Sequence, residues 1–397
     1  MATFFLVFGI IVLVTAAGRR FLEHSFIPPI VVYIIVGLLS NGLNMQFHFM
    51  NKHVHEGISL MAEIGIVILL FRVGLESKLE HLVGQLKRAS FIWLGNVSVS
   101  AVVGFVAARF VLGFSLIASL FLAVALSATS VGISAALWQT HGRLDTPEGA
   151  LLIDVAELDD ISAVMMMSVL FSMAPTLARS QSVSLSVMGM EILVLLGKLA
   201  LFLMICFLFA RYLESHIMSF FHTTSGASTF VAALGVLFVI SGLAGALGYS
   251  LAIGAIFAGF SFSRDPAEHE LDMQLDFLFY IFVPFFFVNI GMNVRLDLIS
   301  SALPVGGVLF LAACLGKLVG TGLPALFVLE KRETFILSLS MIPRAEIAML
   351  IMLFGFQHEL AFVSPRLFGG MVMVTILTCV FVPVVLHPLL QEQSSKD

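Results

Sequence analysis

What most restricts the folds open to this chain is the distribution of its charges. Long apolar runs recur from one end to the other, and charged residues collect in the short breaks between them. A water-soluble domain needs a charged shell of about a quarter of its residues. Here 11% of the residues are charged and 59% are hydrophobic, so lipid has to be the solvent. A membrane crossing takes about 20 mainly apolar residues. In hydrocarbon the backbone must satisfy its own hydrogen bonds, which leaves helices or a closed barrel. The runs are continuous and do not alternate, so the expected fold is an all-α polytopic membrane protein.

Matching apolar runs against polar breaks gives thirteen expected spans: 3–17, 27–43, 58–75, 90–112, 116–138, 150–174, 190–210, 229–246, 247–263, 274–292, 304–328, 333–357 and 365–388. The eighth and ninth meet at Leu247-Gly248-Tyr249. The first lacks a basic leader and a small-residue cleavage site, so it is expected to stay as a span. Lys and Arg then set the orientation. One side carries Arg19, Arg20, Lys78, Lys87, Arg88, Arg143, Arg211, Arg264, Lys331, Arg332 and Lys396; the other carries Lys52, Arg109, Arg179, Arg295 and Arg366. The richer side is expected to be cytoplasmic, with the N-terminus outside and the C-terminus inside an inner (plasma) membrane. An odd number of spans agrees with this. No long soluble tail is expected after the last span. Cys206, Cys314 and Cys379 lie in apolar runs without metal spacing and read as buried free thiols.

Ionisable groups at membrane depth are costly and mark function or specific pairing. The densest set is in span six, where Asp154 and Glu157 precede the adjacent acids Asp159 and Asp160. Neighbouring helical residues diverge by about 100°. The two acids therefore cannot reach one atom, but they can flank one site. Two carboxylates that close in low dielectric repel, and such a pair can hold a proton and release it when a cation arrives. Apolar residues from Ile161 to Phe171 continue the span, which argues against solvated acids at a helix end. Asp154 and Glu157 lie nearer the surface, as acids in a funnel mouth or as direct participants.

Lys317 is near the middle of span eleven, too deep to reach water easily, and Asp159 or Asp160 is its natural partner. In span twelve, Pro343 removes a backbone donor and interrupts the helix, while Arg344 and Glu346 are placed to stabilise the freed ends or to pair with other buried charges. In span five, Ser127-Ala128-Thr129-Ser130 suits an unwound stretch offering carbonyls, or close packing through small residues. Arg72, Lys198 and Glu63 read as helix-end or interface charges.

The two interrupted spans are seven apart, so they run in opposite directions. Spans one to six and eight to thirteen then form two inverted halves, with span seven linking them. Matching interrupted helices in inverted halves point to a binding site at mid-membrane. The expected organisation is a scaffold of residues 1–89 and 175–303, with the linker helix in the latter. An ion-transporting core comprises residues 90–174 and 304–390.

With these residues in place, the chain resembles the bacterial sodium/proton antiporters of the second branch of the monovalent cation:proton antiporter superfamily, the NapA type. The resemblance runs over nearly the whole chain. It rests on Leu69-Leu70-Phe71-Arg72-Val73-Gly74-Leu75-Glu76, the Asp159-Asp160 pair and Gly254-Ala255-Ile256-Phe257-Ala258-Gly259. It continues through Phe286-Phe287-Val288-Asn289-Ile290-Gly291, Gly316-Lys317 and Pro343-Arg344-Ala345-Glu346. It implies thirteen helices, a homodimer, and a core moving against a dimer domain. It also implies that Asp160 is the main Na⁺ ligand, that Asp159 pairs with Lys317, and that spans five and twelve cross. Members with Asp159 and Lys317 at these places are usually electrogenic. Ala345 stands where the family often has glycine, Arg72 where it is commonly apolar, and Asp154 and Glu157 add acids.

The resemblance thus implies a secondary transporter rather than an enzyme, with monovalent cations (Na⁺, also Li⁺) and protons as its substrates. The bilayer is a partner, nucleic acid is not, and no cofactor is expected. A K⁺/H⁺ or an electroneutral exchanger would share the same charges. A ligand-gated potassium efflux system usually carries a soluble nucleotide-binding tail. An intramembrane aspartyl protease needs acids on two helices, whereas here both are on one.

Overall fold

A computed structural model of the chain describes residues 2–22, 25, 27–76, 82–144, 146–179, 185–221, 227–247, 249–262 and 268–394. Gly248, Lys78, Arg264 and Lys396, used above for a span break and for orientation, lie outside the described residues, as do the side chains of Lys87 and Arg179. In chain order the helices are α1 (Ala2–Leu22), α2 (Pro29–Phe47), α3 (Lys52–Glu76), α4 (Leu82–Val106), α5 (Leu116–Ser127), α6 (Val131–Thr140), α7 (Pro147–Arg179) and α8 (Leu185–Leu208). They continue as α9 (Glu214–Phe221), α10 (Ala227–Ala246), α11 (Leu251–Phe262), α12 (Glu268–Met292), α13 (Ile299–Ala325), α14 (Lys331–Ser340), α15 (Glu346–Gln357) and α16 (Pro365–Ser394). There is no strand among the described residues.

Among the described residues, ten helical stretches are long and apolar enough to cross a membrane, counting α5 and α6 as one run, and α11 and α15 are shorter apolar helices. At about 1.5 Å per residue, the 33 residues of α7 reach roughly 50 Å, more than a bilayer's hydrocarbon core. The polar stretch after residue 210, between two expected spans, is helical as far as Phe221. A wide π turn, Phe209–Leu213, carries α8 directly into α9, where Glu214 and Met218 are buried. One buried position per turn suffices to hold a helix that the composition alone does not mark. Cys206 and Cys379 are buried as expected, but Cys314 is only half-buried because α13 turns it partly outward.

The chain divides into two compact units. The first is Met1–Val12, Phe49–Glu80 and Ser168–Asn289. In it α3 and α11 meet backbone to backbone, because a side chain at Gly74 or Gly259 would collide with the other helix. Arg72 Nη1 bonds Asp276 Oδ1 at 2.6 Å and its guanidinium lies 5.1 Å from the Phe279 ring centre, so this unexpected charge is paired within the helices. Glu63 and Lys198 are exposed.

The second unit is Leu13–His48, His81–Met167 and Ile290–Asp397. Its core gathers Trp138, Leu152, Ile336, Met341, Val382 and Leu386. Helices α4 and α13 approach closely at Gly95 and Gly320, where an added Cβ on Gly320 would lie 2.9 Å from the Gly95 carbonyl oxygen. This close approach brings the polar residues of α4 within reach of those on α13.

Candidate ion site

Two helices in the second unit are broken, and the breaks touch. Helix α5 stops at Ser127 and α6 begins at Val131, while α14 stops at Ser340 and α15 begins at Glu346. The Ser130 N–H donates to the Pro343 carbonyl at 3.0 Å, and Ser130 Oγ donates to Glu346 Oε2 at 2.6 Å. Below the crossing, Ser134 Oγ donates to the Ser340 carbonyl at 2.7 Å and Trp138 Nε1 to Ser340 Oγ at 3.0 Å. Each break frees carbonyls at one helix end and N–H groups at the next.

Buried cations occupy the carbonyl ends, as the helix dipole favours. Lys317 Nζ donates to the Ser127 carbonyl at 2.8 Å, at the end of α5. Arg344 Nη1 donates to the carbonyls of Met341 at 3.1 Å and Pro343 at 3.0 Å, just past the end of α14. The Arg344 N–H is taken by Thr378 Oγ1 at 3.1 Å. Arg344 thus bonds within the break and to Thr378 of α16. Glu346 takes the first turn of α15, where an acid suits the N-terminal dipole.

Asp159 and Lys317 are each 0% exposed, and Lys317 Nζ meets Asp159 Oδ2 at 3.0 Å. The same oxygen accepts from Asn96 Nδ2 at 2.5 Å and from Thr129 Oγ1 at 2.6 Å. Asp159 Oδ1 is buried with no hydrogen-bond partner among the described residues. All three donors therefore converge on one oxygen and leave the other bare. Asp160, one residue on, is half-buried and takes no hydrogen bond from any described residue. The charges that act on it are Asp159, Glu346, Glu157 and Lys317.

At formal charge and among the described residues, the acids Asp159, Asp160 and Glu346 outnumber the buried cations Lys317 and Arg344 by one, before Glu157 is added. A buried uncompensated charge is costly. A proton or a monovalent cation would balance it. Asp154 and Glu157 are half-buried along the same helix, Glu157 one turn before Asp160.

Asn96 was not read from the sequence as part of the site. Its Oδ1 accepts from Thr321 Oγ1 at 3.0 Å, so α13 both supplies Lys317 and orients the amide that shares Asp159. Two other residues hold the α7 backbone here: Ser162 Oγ donates to the Asp159 carbonyl at 2.9 Å, and Trp93 Nε1 donates to Ser162 Oγ at 3.1 Å. The signal for Asn96 was a lone amide in the apolar stretch Phe91–Val106, which by itself names no partner.

The family model for the transmembrane sodium/hydrogen exchanger matches residues 8–392. The chain is 28% identical over 382 residues to a Na⁺/H⁺ antiporter of Enterococcus hirae, covering 95% of each chain. It is 28% identical over 330 residues to the Na⁺/H⁺-K⁺ antiporter GerN of Bacillus cereus, covering 83% of this chain and 82% of that one. Among solved structures, the sodium proton antiporter MjNhaP1 of Methanocaldococcus jannaschii has a similar fold, with a TM-score of 0.69 over 98% of both chains at 14% identity.

Proposed function

The chain belongs to the sodium/hydrogen exchanger family, and we propose that it exchanges Na⁺ for protons across the plasma membrane with Asp160 as the shared ligand. The observation that carries this reading is the contrast between two adjacent acids. Asp159 is saturated on one oxygen by Lys317, Asn96 and Thr129, while Asp160 takes no hydrogen bond from a described residue. The first is a held counter-ion and the second is the acid left for a transported ion. The one-charge excess of the cluster supports a proton on Asp160 when no cation is bound.

Competition alone then couples the two fluxes. With no cation, Asp160 carries a proton and Lys317⁺ pairs with Asp159. Arriving Na⁺ displaces the proton from Asp160 and the Lys317 proton leaves with it, so two protons move against one Na⁺. One net charge crosses per cycle, and about 2.3 kcal/mol per 100 mV of potential acts on it. Asp159 keeps Asn96 and Thr129 when Lys317 lets go, so its carboxylate stays in position for Na⁺. Arg344 and Glu346 hold the crossed breaks. The half-buried Asp154 and Glu157 attract the cation on its way in.

Access alternates as a core of residues 90–174 and 304–390 moves against a scaffold of residues 1–89 and 175–303, built on inverted repeats of thirteen spans and paired as a homodimer. The N-terminus is outside and the C-terminus cytoplasmic. A potassium/proton exchanger is the second reading, favoured by the name of the Bacillus cereus relative, which includes K⁺.

The test is purified protein in liposomes with an interior pH dye, given Na⁺, Li⁺ or K⁺ outside with and without a potassium–valinomycin clamp. A response to Na⁺ or Li⁺ that accelerates with potential and is lost in Asp160→Asn is expected. Robust exchange in Asp160→Asn refutes the ligand, and a response to K⁺ alone, insensitive to potential, replaces the reading with an electroneutral potassium exchanger.

A further inference from the structure

Helices α13 and α14 are joined by a short turn and enclose an open groove of about 420 Å³. Leu318 and Leu323 from α13, Leu326 just past its end and Phe335 from α14 form its apolar walls. Leu323, Leu326 and Phe335 are exposed on the surface of the second unit, in a chain whose surroundings are hydrocarbon. The groove is therefore an apolar cleft on a lipid-facing wall, and two features order it along its length.

At one end is Lys331, the first residue of α14, exposed and without an ion pair among the described residues. One turn deeper on the same helix face is Thr334, which is 4% exposed and whose Oγ1 has no hydrogen-bond partner among the described residues. A buried unpartnered hydroxyl is uncommon and asks for a ligand or a water. Past Thr334 the lining is apolar except for Ser338, whose hydroxyl is already spent on the Thr334 carbonyl at 2.7 Å.

The order cation, hydroxyl donor, apolar slot is the order phosphate, ester carbonyl, acyl chain. Lys331 and Thr334 are separated by about 4.5 Å of helix rise, the depth between a phospholipid's phosphate and its glycerol esters. We propose that this groove is a binding site for one anionic phospholipid, with its phosphate on Lys331, an ester carbonyl accepting from Thr334, and one acyl chain along Leu318, Leu323 and Leu326. The flanking charges leave Lys331 for this role. Glu333 is held by Arg143 at 2.7 Å, Arg332 donates to the Leu389 carbonyl at 3.0 Å, and Glu330 precedes the helix on the exposed turn. The lipid touches two of the helices that build the ion site: Leu318 follows Lys317, and Ser338 is two residues before the end of α14. Occupancy fastens α14 to α13 next to the crossed breaks.

The experiment uses the full chain in detergent, stripped of lipid and offered phosphatidylglycerol or phosphatidylcholine, with bound lipid per protomer read by native mass spectrometry. The parent is expected to retain phosphatidylglycerol over phosphatidylcholine. Lys331→Gln is expected to lower phosphatidylglycerol retention about fivefold, the effect of one lysine near an anionic surface, with phosphatidylcholine unchanged and Lys331→Arg like the parent. Thr334→Val, which keeps the shape and removes the donor, is expected to lower phosphatidylglycerol retention as well and carries the test should Lys331→Gln fail to fold. Equal retention of the two lipids by the parent, or parental retention in both Lys331→Gln and Thr334→Val, overturns the site. So does efficient self-cross-linking of Leu323→Cys in a bilayer, which would put a second copy over the groove.

Discussion

Replacing Lys317 by Met and Asp159 by Asn, separately and together, asks whether the buried pair is one energetic unit. Both side chains are fully buried and 3.0 Å apart. Removing one partner of such a pair leaves an uncompensated buried group and costs about 3–5 kcal/mol. In Lys317→Met the carboxylate keeps Asn96 and Thr129, each a charge-assisted bond contributing about 1.5–3 kcal/mol, so the cost falls at the lower end. In Asp159→Asn the ammonium loses its counter-charge and is left with neutral acceptors such as the Ser127 carbonyl, so the cost falls at the upper end. The double variant removes both charges and is expected to be less unstable than the sum of the singles by about 2–3 kcal/mol. The assay is the apparent unfolding temperature at fixed scan rate in detergent, where about 2 °C per kcal/mol puts the singles roughly 6–10 °C below the parent. Additive losses in the double variant would refute the pairing as an energetic unit and with it the exchange of Lys317 for a cation.

Further outcomes follow from the same geometry. Asn96→Leu leaves the Thr321 hydroxyl without its acceptor and Asp159 with one donor fewer, so it is expected to cost about 1–3 kcal/mol and to weaken Na⁺ affinity in liposomes; unchanged affinity would remove Asn96 from the site. Arg344→Met removes the Nη1 donor that the Met341 and Pro343 carbonyls share, so exchange is expected to fall at least tenfold, and parental exchange would assign the break's stability elsewhere. If two protons compete with each Na⁺, the apparent KM for Na⁺ rises about a hundredfold per unit as pH falls through the competing range, against about tenfold for one; the slope in Lys317→Met is expected to drop from the first value to the second.

Much of the fold could be read from the chain because lipid imposes a simple rule: apolar runs of sufficient length become helices. The acids of α7 and Lys317 stood out for the same reason, as charges in places where charge is expensive. The breaks at Thr129-Ser130 and Pro343-Arg344 were legible from small polar residues and from a missing donor. What composition could not show was partnership. By depth alone Lys317 had two candidate acids; the family resemblance named Asp159, and the packing sets Lys317 against it beside an α4–α13 approach at Gly95 and Gly320. Asn96 was silent because an amide among apolar residues says nothing of a partner 63 positions away. The helix Glu214–Phe221 lies between the expected spans because burial of only Glu214 and Met218 leaves little apolar signal.

The central claim is that a cation and a proton share Asp160. Isothermal calorimetry of Na⁺ binding to the purified protein, repeated in buffers of different ionisation enthalpy, counts protons released per Na⁺ bound. The account predicts a release approaching two at mildly acidic pH, approaching one in Lys317→Met, and no Na⁺ binding in Asp160→Asn. Na⁺ binding without proton release, or undiminished binding in Asp160→Asn, would contradict it.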